Sequence, residues 1–292
     1  MKYKNQLFFV AFLLVILTIV LIKKKTTIVH DQIITKQNPW VEKKHEIIPV
    51  IPTNPLPPIK PEKTEPQWIK YPAIRTPDLT LGKILADIDS HMPAGHIYSS
   101  NDKITWGHET THGINSNLRN SWKAPNVNGF YCLLDRAVMI AEPKVTIQMV
   151  APTVPPSLRG PVYDLYMIKQ AASWGDRPLY IFDEWVAYTN GSEVRADLGI
   201  SERSETVSQM LEFDVYALAL AMAIKTQDKG YDDYQFKLFL KWNIERSFRL
   251  YKNEERAVSY LQNLRSNPDA EKMRIFTRDY LGKEWANKVI GF

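Results

Sequence analysis

Trp106-Gly107-His108-Glu109-Thr110-Thr111-His112 is the stretch that decides how this chain is read. Four residues are slightly more than one helical turn, so on a helix the imidazoles of His108 and His112 leave the same face and can share a metal ion. Glu109 would then sit beside that ion, where a carboxylate can take a proton from activated water and return it to a leaving amine. These residues therefore imply a reaction, metal-assisted amide hydrolysis, as well as its ligands. The flanks favour a helix: Ser100 and Asn101 are candidate N-caps, Asp102 falls in the first turn, and no Pro occurs from there to Lys123. Gly107 and Gly113 weaken that helix by about 1 kcal/mol each relative to Ala, and also let substrate or backbone approach closely.

Two histidines hold zinc weakly; a catalytic site usually needs three protein ligands and one open position. Residues 179–191 place Asp183 and Glu184 inside an otherwise apolar, aromatic helix, where an unpaired carboxylate is expensive to bury and a cation would offset the cost. Glu184 is the expected third ligand, because Tyr188 lies one turn further along the same face and can donate its hydroxyl to the oxyanion formed during hydrolysis. Asp183 is the alternative by residue type. Glu193, Glu212 and Asp214 are further candidates, the last two also as groups that orient a histidine. Asn115 shares the face of His108 and His112 and reads as a polar helix-surface residue able to bond substrate or a neighbouring helix. His91 and His96 have a spacing that suits a turn better than ligation, and Trp106, Trp174, Trp185 and Trp242 read as packing residues.

The combination resembles the zincin metallopeptidases, and within them the gluzincins, in which a Glu on a later helix completes a two-His site. The resemblance covers residues 95–200 and implies Zn2+ held by His108, His112 and Glu184, with Glu109 as catalytic acid and base and the substrate extended along a sheet edge. The His-Glu-x-x-His match is complete. The second motif departs from the gluzincin Glu-x-x-Ala-Asp, since Glu184-Trp-Val-Ala-Tyr188 ends in Tyr and lacks that carboxylate. Where a metzincin continuation requires Gly and His, this chain has Asn115 and Leu118.

Around the motif, residues 80–90 have helical periodicity and 95–99 could form a short strand. Three apolar runs, 130–134, 137–141 and 145–150, have strand character and suggest a small antiparallel sheet. Helices are expected over 162–172, 179–189, 205–225, 231–251, 254–264, 270–280 and 283–289. Within the third of these, 215–224 is apolar on all sides but too short to span a bilayer, so it reads as a core helix. The fold class is thus α+β: a mainly helical, zincin-like domain over residues 79–292 with a small antiparallel sheet.

The chain has 292 residues and is 45% hydrophobic, enough for one substantial core. Residues 7–22 are apolar apart from Thr18 and flanked by lysines. At 1.5 Å per residue that run covers about 24 Å, a membrane anchor completed by snorkelling lysines, so residues 1–25 are expected to be an N-terminal transmembrane helix. Residues 26–78 hold ten prolines and no Gly, and read as an extended stalk in which 55–61 could dock a partner. His30 and His45 fall in that stalk.

The formal charge of +5 divides unevenly: residues 1–78 hold 12 Lys and Arg against 6 Asp and Glu, and the remainder holds 25 against 26. A near-neutral folded part without an aromatic and basic stripe excludes nucleic acid as the expected partner, whereas lysines beside an anchor suit anionic lipid. Cys132, the single cysteine, permits no intrachain disulfide and reads as a small buried hydrophobe. The lysines after residue 22 favour a cytoplasmic C-terminal side, but a short anchor before a long stalk more often carries an exported domain, and export is the expectation. The leading function is a membrane-anchored zinc metallopeptidase acting on a peptide or protein. The alternative is a tethered, non-catalytic binding or structural protein with a structural metal or none.

Overall fold

The structure, a computed structural model, describes residues 65–122, 124–201, 205–251 and 255–292. The anchor, the stalk up to residue 64 with its 55–61 stretch, His30 and His45 lie outside these residues. Two helices open the fold, α1 (Lys83–Ser90) and α2 (Lys103–Ser121), the second carrying the motif. Asp102, expected in the first turn, is itself the N-cap: its Oδ1 accepts from Ile104 N at 3.0 Å and Thr105 N at 3.3 Å, bonds that satisfy otherwise orphaned donors. Residues 95–99 form no strand.

The sheet has three antiparallel strands in the order β1 (Ile69–Lys70), β3 (Arg136–Ala141), β2 (Val127–Tyr131), with Ile69 opposite Ala137 and Phe130 opposite Val138. The third expected strand, 145–150, is instead a helical turn, Ile147–Val150, that runs on into Ala151–Thr153. A short apolar run satisfies either geometry, and here Pro152 continues the turn. The edge strand that replaces it, β1, comes from the stretch whose proline content suggested a stalk, so packed structure reaches back before Leu79. Trp68 packs on the main core beside it. Only two residues long and flanked by Pro66 and Pro72, β1 leaves no periodicity to read, and an edge position tolerates such neighbours.

The β2–β3 turn holds Leu133, Leu134 and Asp135 at φ of 67°, 55° and 59°, a left-handed run costing about 1–2 kcal/mol per residue. Helix α1 pins it. Asp87 Oδ2 accepts from Leu134 N at 3.1 Å and from the Tyr131 hydroxyl at 2.8 Å, while His91 Nε2 meets Asp135 Oδ1 at 2.8 Å. His91 is thereby a structural residue.

Among the described residues, six longer helices follow: α3 (Tyr180–Asp197), α4 (Thr206–Gln227), α5 (Tyr234–Leu250), α6 (Glu255–Ser266), α7 (Glu271–Leu281) and α8 (Lys283–Val289). Phe182 and Trp185 of α3, Phe213 and Tyr216 of α4, and Phe236 and Phe239 of α5 are fully buried together, each contributing on the order of 1.5–3 kcal/mol by burial. α4 is long and apolar enough to cross a membrane, but it is the buried centre of this core. α3 runs eight residues beyond the expected end at Thr189. Asn190 and Gly191 are poor helix formers, yet tertiary contacts hold them. The Asn190 amide donates to Thr111 Oγ1 and Tyr131 O, both at 3.1 Å, and accepts from Arg246 at 2.8 Å. A Cβ on Gly191 would lie 3.3 Å from Ile104 O, and one on Gly107 would lie 2.8 Å from Val194. These two glycines let α2 and α3 cross closely, which sets the spacing of the site between them.

Candidate metal centre

His108 and His112 leave α2 toward α3, as the four-residue spacing requires, and Glu184 meets them from the first half of α3. The two Nε2 atoms are 3.1 Å apart, and Glu184 Oε2 lies 3.7 Å from His108 Nε2 and 3.5 Å from His112 Nε2. Among the described residues these three form the one group whose ligand atoms converge within 4.8 Å and could hold a metal ion. Their side chains are only 12%, 20% and 8% exposed. Glu184 Oε2 has no hydrogen-bond partner within normal distance, and its nearest polar neighbours are the two imidazole nitrogens.

Asp183, the alternative ligand, takes a different part. Its Oδ2 lies 3.3 Å from His112 Nδ1, the nitrogen facing away from the cluster, and its Oδ1 accepts from Asn115 Nδ2 at 2.6 Å. Asn115 Oδ1 in turn accepts from Tyr131 N at 2.8 Å, so the sheet, Asn115 and Asp183 together fix one imidazole. Asn115 is thus fully buried, where the sequence suggested a surface position. The other candidates point elsewhere. Glu193 pairs with Arg246 at 2.9 Å, Glu212 accepts from the Tyr216 hydroxyl at 2.9 Å, and Asp214 accepts from the Trp185 indole at 2.8 Å. His96 packs its ring over Gly113, outside the cluster.

Burial holds the pKa of His108 well below the ordinary imidazole value, and the neighbouring His112 adds to the effect. Burial acts the same way on His112, but Asp183 and Glu184 outweigh it and hold its pKa well above the ordinary value. The charges that attract a proton there would attract a cation equally. Glu109, next along α2, is raised by burial, against the pull of His112.

Tyr188 packs edge-on against His108, with ring centres 4.5 Å apart, and its hydroxyl lies 3.1 Å from that of Tyr166. Tyr166 comes from Asp164–Lys169, where an α-helix was expected and a π-helix forms; Gln170 N donates to Leu165 O at 2.9 Å. Burial raises the Tyr188 hydroxyl, with Glu184 adding to it, so it stays a proton donor. Tyr166 carries no signal in the sequence, since nothing links it to Tyr188 until the π-turn brings the two hydroxyls together.

No family model, curated protein or solved structure matches this chain. The functional reading therefore rests on the chemistry of these side chains.

Proposed function

We propose that the chain is a zinc-dependent peptidase of zincin type, held at a membrane by its N-terminal segment with the peptidase domain outside the cytoplasm. The observation that carries this reading is the convergence of His108, His112 and Glu184 beside Glu109. A tetrahedral ion with bonds of about 2.0–2.1 Å separates its ligand atoms by about 3.3–3.4 Å. The separations here are 3.1, 3.5 and 3.7 Å. Two imidazoles and one carboxylate are a donor set suited to zinc, and an ion would compensate the orphaned Glu184 oxygen.

Zinc bound by these three residues would supply Lewis-acid polarisation and water activation. Glu109 accepts the proton of the attacking water and delivers it to the leaving amine. Tyr188 donates its hydroxyl to the oxygen that gains charge, and Tyr166 holds that hydroxyl in place. Asp183 keeps His112 in the tautomer whose Nε2 is free to ligate.

Elemental analysis of the full chain tests the reading. One zinc per chain, lost on His112→Ala, is expected; a metal-free protein of unchanged stability would leave a tethered scaffold in place of a peptidase. Asp183→Asn should weaken zinc retention about tenfold to a hundredfold in chelator competition, because the partner of the ligating imidazole loses its charge. Unchanged retention would assign Asp183 to packing alone.

A further inference from the structure

Facing side chains of α2 and α3 form a single file. Tyr188 stands against His108, Glu184 against His112, Asp183 against Asn115, and the Arg119 guanidinium lies over the Tyr180 ring, 5.2 Å from its centre. Arg119 is seven residues after His112, so it shares the ligand face about 10 Å further along the helix. At that end the file opens into a cavity of about 510 Å³, whose walls carry three cations, Arg119, Lys144 and Arg177.

Two acids share the cavity, Asp176 and Glu142. Glu142 is turned inward, accepting from Leu179 N at 2.8 Å and from the Asn128 amide. Burial pushes it up to about 7, which leaves it only partly charged at neutral pH. Among the described residues, neither the Lys144 ammonium nor the Arg177 guanidinium enters a side-chain hydrogen bond or salt bridge. Arg119 donates to Asn128 Oδ1 at 3.3 Å, and Arg119 and Arg177 both act on Glu142 across the cavity. Three cations against Asp176 and a partly ionised Glu142 still leave an excess of positive charge, which favours an anion.

We propose that this cavity is a carboxylate-recognition subsite, in which Arg119, Lys144 and Arg177 take either the C-terminal carboxylate or an acidic side chain of a peptide. The inference rests on the peptidase reading and deepens it by naming a substrate class. An extended peptide advances about 3.3 Å per residue, so about 10 Å places the selected carboxylate roughly three residues from the bond that is cut. Arg177, whose guanidinium is not engaged in a side-chain hydrogen bond, supplies the fork that matches a carboxylate, Lys144 a second direct contact, and Arg119, held by Asn128 and Tyr180, adds field.

The test uses the full-length, zinc-loaded Glu109→Gln protein, which leaves peptides intact, and fluorescein-labelled octapeptides read by anisotropy. One peptide is neutral throughout, one has a free C-terminal carboxylate, and one has a single internal Glu with an amidated end. At least one acidic peptide should bind about tenfold tighter than the neutral one. That advantage should shrink as salt is raised and vanish in the Lys144→Ala, Arg177→Ala double variant. Preference for the free terminus or for the internal Glu supports the subsite and identifies its source. Equal binding of all three peptides, or a preference that survives the double variant, overturns it. Zinc content of the same samples separates the two readings. Metal-free protein with a Lys144- and Arg177-dependent preference sinks the peptidase and keeps the carboxylate site, whereas zinc-loaded protein without that preference keeps the metal centre alone.

Discussion

Replacing Glu109 by Gln should lower hydrolysis of an internally quenched peptide mixture about 10²- to 10⁴-fold while zinc content and thermal stability stay unchanged. Gln keeps the size and shape of Glu but cannot accept a proton from water at neutral pH. The substitution spares the ligand set, because the converging atoms belong to His108, His112 and Glu184. It also spares the scaffold, because α2 is held by Ile104, Gly107, Thr111, Ile114 and Leu118 on its buried side. Thr111 reinforces that side, donating to Gly107 O at 2.8 Å and accepting from Asn190 at 3.1 Å. A variant that lost both zinc and activity would make Glu109 a support of the site; one that kept full activity would remove it from the chemistry and refute the mechanism.

What the sequence made legible at the site was whatever a single element could display. His108, Glu109 and His112 are spaced by one helix, so their common face follows from helical geometry alone. Asp183 and Glu184 stood out as acids in an apolar run. Their division of labour was not legible in the same sense, since adjacent helical residues diverge by about 100° and only the approach of α2 decides which one reaches the Nε2 atoms. Glu184 does so, and Asp183 reaches the far nitrogen of His112.

Tertiary override accounts for the rest. Asn190-Gly191 reads as a helix end until Thr111, Tyr131, Arg246 and Ile104 are seen to hold it. Tyr166 and Arg119 reach the file between α2 and α3 through a π-turn and a cation resting on an aromatic ring, neither of which has a spacing rule. β1 is hidden because two residues cannot show an alternation. The Glu212 and Asp214 carboxylates illustrate the converse error: buried acids attract a metal-ligand reading, yet hydrogen bonds from Tyr216 and Trp185 are what accompany them in the core.

Glu212 leads to the second large effect, a loss of stability as pH rises from the acid range toward neutrality. Its side chain is buried in α4, and Oε2 accepts from the Tyr216 hydroxyl at 2.9 Å and from Val162 N at 3.3 Å. Burial outweighs those bonds and pushes its pKa from 4.5 up to about 7. Between these two values the native state holds a proton that the unfolded chain has released, so stability falls with increasing pH across that window. The contribution is intact below the unfolded value and lost once pH passes the folded one. At about 1.36 kcal/mol per unit, the difference amounts to roughly 3 kcal/mol. Gln at this position retains an acceptor for both donors and never has to ionise. Glu212→Gln should therefore match the parent in acid and exceed it by up to about 3 kcal/mol in mildly alkaline solution. Chemical denaturation of both proteins across the pH range measures the gap, and comparing them cancels the titration of His108 and His112. A gap that stays constant with pH would show that Glu212 is not protonated in the fold. A gap that widens toward acid would reverse the sign and place its folded pKa below the unfolded value.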